Sequence, residues 1–133
     1  FGADYLLHNA DYSNTFKFSL MYKTFSGNAS SDTPLQFTFV WGMKNLFGVD
    51  GLNFSGFADI WGENTKNWDA DPVDDQAEEG KFIFISEPQL WYNVGKHFGV
   101  DNLNIGTEIE LSYNFAGNHG FYCRPCLGTK WVF

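Results

Sequence analysis

Residues 121–133 read FYCRPCLGTKWVF, and apolar and polar side chains alternate along this stretch. Because successive side chains of a β-strand point to opposite faces, an extended chain would separate the two kinds. One face then holds Phe121, Cys123, Pro125, Leu127, Thr129, Trp131 and Phe133, and the other holds Tyr122, Arg124, Cys126, Gly128, Lys130 and Val132. A mostly apolar face opposite a face with two cations is typical of a wall between lipid and a water-filled lumen.

The same two-residue period recurs along the chain, and helical periodicity is nearly absent. Alternating runs separated by Gly, Asn, Asp and Ser predict seven strands, at residues 3–10, 15–25, 34–46, 52–64, 81–94, 103–115 and 121–133. The first run is the weakest, and its facing is ambiguous. Pro88 lies inside the fifth run, where its missing N–H predicts a local break. The sequence therefore predicts an all-β, antiparallel, up-and-down sheet in a single domain, residues 1–133.

Composition argues against several classes of function. The net charge is −8 and the sequence pI is about 4.6, whereas a nucleic-acid-binding surface needs clustered Lys and Arg. No apolar run approaches the ~20 residues of a spanning helix, so a β-barrel is the remaining route into a membrane. No nucleophile, base and orienting group form a recognisable pattern. We therefore expect no nucleic-acid partner, no enzyme activity and no cofactor.

Cys123 and Cys126 form a CxxC motif, which in other contexts marks a redox or metal site. On a strand, positions three apart point to opposite faces and lie about 10 Å apart, too far for a disulfide. The three histidines are scattered along the chain and give no second half of a zinc site. We expect two unpaired cysteines on opposite faces and no metal.

The connections between the predicted strands also alternate in character. Turn-like segments occur at 11–14, 45–51 and 96–102, and the other connections are the loops at 26–33, 64–79 and 116–120. Outer-membrane barrels have short periplasmic turns and longer extracellular loops. The acidic loop at 64–79 is accordingly predicted to be extracellular and solvated.

Alternation alone does not say which face is buried. A soluble β-barrel or sandwich would turn the Phe and Leu faces inward, whereas a membrane barrel turns them toward lipid. The terminal Phe133, aromatic residues near strand ends and strands of about ten residues favour the membrane arrangement. Those aromatic residues are Tyr22, Trp41, Tyr92, Tyr113 and Trp131.

Four strings carry a family resemblance: FSGFADIW at 54–61, SEPQLWYN at 86–93, GTEIELSYNF at 106–115 and GTKWVF at 128–133. They resemble the C-terminal part of a Bacteroidetes outer-membrane barrel family related to Tsx-like nucleoside-specific channels. The resemblance implies a bacterial outer-membrane location and a transmembrane β-barrel of about twelve strands, of which roughly the last seven are present. Because such barrels have closed edges and even strand numbers, we expect an N-terminally incomplete barrel domain.

The face that would line the lumen mixes carboxylates, cations and aromatic rings. The predicted lumen and substrate path comprises Lys44, Phe57, Asp59, Trp61, Glu63, Glu87, Gln89, Trp91, Glu108, Glu110, Tyr122, Arg124 and Lys130. In one interpretation, cross-strand ion pairs fill a wet interior, with Arg124 and Lys130 as partners of two glutamates, Glu108 and Glu110. In the other, aromatic faces stack a base or sugar while polar groups bind hydroxyls.

Three functions fit this pattern. The first is a passive channel for small polar solutes, including nucleosides, surrounded by outer-membrane lipid. The second is a structural or accessory barrel that joins other outer-membrane subunits and whose lumen is plugged by its own ion pairs. The third is a soluble β-barrel that binds an apolar ligand in its interior. The first two place the apolar faces outside, and the third places them inside.

Overall fold

The structure of the protein is a computed structural model, which describes residues 1–25, 30–67 and 78–133. Within these residues the chain forms β1 (Gly2–His8), β2 (Asn14–Tyr22), β3 (Leu35–Met43), β4 (Leu52–Asn67), β5 (Glu78–Ser86), β6 (Gln89–Tyr92), β7 (Leu103–Tyr113) and β8 (Phe121–Trp131). Two short 3-10 helices, Leu46–Gly48 and Gly95–Phe98, lie in connections. No helix in the described part of the chain is long and apolar enough to cross a membrane.

All of these strands belong to one antiparallel sheet. The first four strands pair in chain order, and β7 pairs with β8 at the other side. β5 and β6 lie one after the other between β4 and β7, and each of them pairs with both of these strands. Among the described strands no pairing joins β1 to β8, so each has one free edge. The predicted all-β, antiparallel, up-and-down sheet is confirmed.

The break predicted at Pro88 divides the fifth predicted strand into β5 and β6, which raises the strand count from seven to eight. Regular pairing stops at Glu87 and Pro88, because proline has no N–H for the ladder. Two backbone hydrogen bonds hold this segment to both neighbours: the Glu87 N–H donates to the Phe57 carbonyl, and the Ile109 N–H donates to the Pro88 carbonyl, each at 3.0 Å. The segment between β5 and β6 therefore stays hydrogen-bonded to both β4 and β7.

The loop predicted at 64–79 is shorter than expected. β4 runs on to Asn67 and β5 begins at Glu78, and these two residues pair with each other. A register shift between Gly62 and Thr65 separates this extension from the main ladder. The sequence of the extension, ENTKN at 63–67, is polar throughout, so it lacks the alternation that identifies the other strands. The predicted acidic loop residues at 69, 71, 74 and 75 lie outside the described residues, and Glu79 is on a strand.

Cross-strand pairing assigns all strands to two common faces, because directly opposed residues of antiparallel strands point to the same side. The polar face holds Asp4, Leu6, Lys17, Ser19, Thr38, Val40, Phe57, Asp59, Trp61, Ile83, Ile85, Gln89, Trp91, Glu108, Glu110, Ser112, Tyr122, Arg124 and Lys130. Two of its apolar members, Leu6 and Val40, are exposed. The facing of β1, ambiguous in the sequence, follows from Asp4, which lies opposite Ser19. Its carboxylate pairs with Lys17 Nζ at 3.0 Å.

The polar face is the sheltered face of the sheet. Its Ser19, Asn104 and Ser112 are only 4%, 6% and 1% exposed. The opposite, apolar face carries ten large side chains that are between 37% and 54% exposed, namely Leu7, Leu20, Tyr22, Leu35, Phe37, Ile60, Phe82, Leu90, Ile105 and Trp131. Sheltered hydroxyls and amides with exposed Phe and Leu reverse the usual arrangement of a water-soluble protein.

The two FGVD segments, 47–50 and 98–101, share a sequence but not a backbone conformation. Phe47 adopts the left-handed conformation with φ 56°, and it is 92% exposed. The glycines of both segments are left-handed, Gly48 with φ 76° and Gly99 with φ 72°, whereas Phe98 is not and ends the preceding 3-10 helix. A bulky residue with positive φ is strained by roughly 1–2 kcal/mol, whereas glycine is not.

This difference predicts opposite effects for one substitution at two equivalent positions. Phe47→Gly is expected to keep or raise the free energy of unfolding, by up to about 1 kcal/mol, because relief of strain exceeds the entropy cost of glycine. Phe98→Gly relieves no strain and is expected to lower the free energy of unfolding by roughly 0.5–1 kcal/mol. Denaturant titration of both variants in the same detergent checks the sign. A clear decrease in the free energy of unfolding of Phe47→Gly would contradict the strain argument.

Candidate functional site

The Trp91 ring lies in a space left by two glycines on the polar face. Gly106 and Gly128 are cross-strand partners; a Cβ added to Gly106 would lie 2.6 Å from the ring, and one added to Gly128 would lie 3.6 Å away. The ring is 9% exposed, and Lys130 Nζ lies 4.5 Å from its centroid. Trp91 therefore lines the wall with little free surface on which a solute ring could stack.

A short hydrogen-bond chain links three polar-face side chains in this wall. The Trp91 indole N–H donates to Gln89 Oε1 at 3.0 Å, and Gln89 Nε2 donates to Glu108 Oε2 at 2.6 Å. Because each donor has an acceptor, the chain fixes the amide and the ring in one orientation. Trp91, Gln89 and Glu108, the predicted solute-path side chains in this part of the wall, are thus hydrogen-bonded to one another.

The predicted ion pairs of β7 and β8 form only in part. Arg124 pairs with Glu110, as predicted, and its guanidinium lies 4.8 Å from the Tyr122 ring centroid. The prediction that Lys130 pairs with a glutamate of β7 is wrong. The register places it opposite Asn104, four residues or roughly 13 Å along the strand from Glu108, and its ammonium lies over the Trp91 ring instead.

Three carboxylates near mid-sheet, Asp59, Glu87 and Glu108, have no ion-pair partner among the described residues. One carboxylate oxygen of Asp59 is fully buried without a hydrogen-bond partner in the described part of the chain. Glu87 is close enough to Glu108 and Glu110 for their negative charges to act on it. The middle of the polar face therefore carries unbalanced negative charge and favours cations over anions.

At the end of the polar face beyond Tyr22, the side chains of Phe25, Trp61 and Glu63 lie around the ammonium of Lys23. Its Nζ lies 4.0 Å from the ring centroid of Trp61 and 5.6 Å from that of Phe25. Glu63 Oε2 is 3.9 Å from the same nitrogen and accepts a 2.7 Å hydrogen bond from the Trp61 indole N–H. The Phe115 ring packs edge-on against Trp61, with centroids 6.3 Å apart.

Most of the predicted lumen residues lie on or beside the polar face, and one does not. Lys44 follows the end of β3 at Met43 and is exposed in the adjoining turn, where its N–H donates to the Ser13 carbonyl at 2.8 Å. The predicted strand at 34–46 runs three residues past the end of β3 at Met43, because Asn45 turns the chain with φ 51°. Lys44 lies near Asp11, whose pKa is lowered chiefly by the hydrogen bond from the Ser13 N–H and slightly by the lysine charge.

Sequence reasoning missed two of the side chains in the group around Lys23, Phe25 and Phe115. The alternation of residues 103–115 puts Phe115 on the apolar face, but β7 ends at Tyr113 and Asn114 has φ 53°, so the alternation stops before Phe115. Phe25 comes at the end of the run 15–25, and the alternation gives it no role in a site. Alternation puts Trp61 and Glu63 on the same face because they are two residues apart. Their position beside Lys23, however, depends on pairing between strands that are distant in sequence.

The cysteines lie as the strand geometry predicts. Cys126 pairs with Glu108 and Cys123 with Leu111, so the two thiols point to opposite faces, and both are exposed and free. Within the described residues, no three His, Cys, Asp or Glu side chains are grouped as metal ligands.

Comparison with known proteins gives one match. No curated protein and no solved structure matches the chain. A family model described as "Domain of unknown function (DUF5020)" matches residues 1–133, the whole length of the sequence. The chain is therefore a member of the DUF5020 family.

Proposed function

We propose that the sheet is part of the wall of a bacterial outer-membrane β-barrel that acts as a passive channel for small polar solutes. The observation that carries this proposal is the inversion of the two faces. Ser112 is 1% exposed on the polar face, whereas Leu20 and Ile105 are more than half exposed on the apolar face. Lipid stabilises such an apolar surface, and a wet lumen stabilises a polar interior.

The apolar face has the features expected of a lipid-facing belt. A surface depression of about 320 Å³ is lined by Phe18, Phe37, Phe39, Ala58, Asp59, Ile60 and Phe84. In water this surface would be a large exposed patch, whereas acyl chains would fill it at no desolvation cost. Tyr22 and Trp131, each about half exposed, lie at strand ends, where aromatic girdles of membrane barrels occur.

The free edges of β1 and β8 need partner strands in this proposal. Unpaired backbone N–H and C=O groups are too costly in lipid, so a membrane barrel must be closed. We propose that further strands pair with both edges, and that Tyr122, Arg124 and Lys130 of β8, which are exposed at its free edge, then line the lumen.

Nucleosides are proposed among the solutes because four strings of the sequence resemble an outer-membrane barrel family that is related to Tsx-like nucleoside-specific channels. Trp91 and Gln89 are hydrogen-bonded within the wall and offer few tight binding sites for a solute. Weak binding suits conduction, because a tightly bound solute would leave the channel slowly. The unbalanced carboxylates predict that cationic and neutral solutes pass more readily than anions. We propose no covalent chemistry and no cofactor.

Planar-bilayer recordings test the channel directly. We expect stepwise conductance in KCl, and a reduction of the current when uridine is added on one side. A reversal potential measured across a KCl gradient should report preference for K⁺ over Cl⁻. Heat-denatured protein at the same concentration serves as the control. Absence of any solute-sensitive current from protein that has inserted would contradict the channel.

The second candidate is an accessory barrel plugged by its own ion pairs. It is favoured by the pairs Lys17–Asp4, Lys23–Glu63 and Arg124–Glu110, all of which lie on the polar face. Inserted protein without conductance, recovered with other outer-membrane subunits, would support it. The soluble, ligand-binding barrel needs an enclosed apolar face, and a compact monomer in detergent-free buffer would favour that hypothesis.

A further inference from the structure

The group around Lys23 has the composition of an aromatic cage for an ammonium ion. We call Phe25, Trp61, Glu63 and Phe115 the cage. Two rings flank the Lys23 ammonium, at 4.0 and 5.6 Å from Nζ to the ring centroids, and a carboxylate lies 3.9 Å away. Aromatic faces and a carboxylate together attract a cation through the ring quadrupoles and the negative charge. The cage thus holds a cation that belongs to the chain itself.

Trp61 and Glu63 of the cage lie on β4, whereas Phe25 and Phe115 follow the ends of β2 and β7. Trp61 and Glu63 are two residues apart on β4, and Trp61 is fixed across the ladder by its pairing with Gln36 and Ile83. The hydrogen bond from the indole N–H to Glu63 orients the carboxylate, and the edge contact of Phe115 supports the indole from the end of β7. Lys23, like Phe25, lies beyond the end of β2.

Lys23 is a poorly suited occupant of this site. Its side chain is 30% exposed, and burial lowers its pKa, although the charges of Glu63 and Asp59 act in the opposite direction. A primary ammonium is strongly hydrated and therefore loses much solvation in the cage. A quaternary ammonium is weakly hydrated, cannot lose a proton, and presents methyl groups to both rings.

We propose that the cage is a binding site for organic cations with a quaternary ammonium group, and that Lys23 is their internal competitor. The inference deepens the proposed function, because it rests on a polar face that solutes reach through a lumen. It assigns this end of the lumen a substrate class, namely methylated ammonium compounds, which the rings of Phe25 and Trp61 and the carboxylate of Glu63 would recognise.

Ligand-observed NMR with tetramethylammonium tests the site in folded protein in detergent. Lys23→Met removes the competitor and is expected to tighten binding at least about tenfold relative to the unsubstituted protein. Lys23→Arg keeps a cation in the cage and should bind as weakly as the unsubstituted protein. Glu63→Gln in the Lys23→Met background should weaken binding about fivefold or more, because the carboxylate charge is lost. tert-Butanol, neutral and of similar shape, should bind none of the variants detectably.

Equal binding of tetramethylammonium by the unsubstituted protein and Lys23→Met would overturn the proposal, as would equal binding of tert-butanol and tetramethylammonium. A pH titration of the unsubstituted protein keeps the test independent of the substitutions. Because neutral lysine no longer competes, affinity should rise as pH increases through the lowered pKa of Lys23. The other charged groups that act on Lys23 are the carboxylates of Glu63 and Asp59. A flat profile would count against the proposal.

The two proposals fail separately. Protein that binds tetramethylammonium through the cage but never conducts would contradict the channel and leave the site standing. Protein that conducts but shows no cage-dependent binding would contradict the site and leave the channel standing.

Discussion

Phe37→Lys is expected to lower the free energy of unfolding in a lipid bilayer by about 2–4 kcal/mol, whereas Thr38→Lys should change it by less than about 1 kcal/mol. The two positions are adjacent in β3 and point to opposite faces of the sheet. On the apolar face, Phe37 is 42% exposed and lies between Leu20 and Ile60, so its replacement puts an ammonium in the proposed lipid belt.

The control position has a different electrostatic environment. Thr38 lies opposite Ser19 on one side and Asp59 on the other, within the polar face. A lysine there gains a carboxylate whose buried oxygen has no hydrogen-bond partner among the described residues. Attraction to Asp59 therefore offsets the loss of the threonine hydroxyl.

Urea titration of protein folded into vesicles measures both variants. Phe37→Leu separates the loss of the aromatic ring from the introduction of charge, and should cost about 1 kcal/mol or less. Equal costs for lysine at the two positions would argue against a lipid belt on the apolar face. A larger cost at Thr38 would indicate a dry polar face and favour the soluble arrangement.

Gly106→Ala is expected to be strongly destabilising, at the upper end of the ~1–3 kcal/mol typical of overpacking. A Cβ at this position would lie 2.2 Å from the Leu90 carbonyl oxygen and 2.6 Å from the Trp91 ring. The oxygen is a backbone atom of the neighbouring strand, so β6 as a whole would have to move, and the ring has little room because it lies beneath Lys130.

Gly128→Ala is the matched control, because Gly128 is the cross-strand partner of Gly106 and faces the same ring. Its added Cβ would lie 3.6 Å from Trp91, an ordinary contact distance. This substitution should be neutral or stabilising by roughly 0.5–1 kcal/mol, because alanine loses less backbone entropy than glycine on folding. Thermal unfolding of both variants in detergent decides the point. Similar behaviour of the two would mean that the wall under Trp91 is looser than the structure indicates.

The local sequence by itself determined the strands and the two faces of most of them. Alternation has a period set by the geometry of a single strand, so no long-range information is needed to place Glu108 and Glu110 together or Cys123 and Cys126 apart. The same reasoning located the break at Pro88, because the missing N–H is a property of the residue. It failed where the alternation ends, at Lys44 and at Phe115, since positive φ values at Asn45 and Asn114 turn the chain there.

Only the tertiary structure decided which face is sheltered and which side chains meet on it. Alternation is symmetric between its two faces, whereas the exposure of each face depends on how the whole sheet curves. The register between β7 and β8 set Lys130 on Trp91 rather than beside Glu108. The cage needs Lys23, Trp61 and Phe115, which lie far apart in sequence, so no local pattern could predict it. Contacts of this kind follow from strand pairing over long distances, and local periodicity does not specify them.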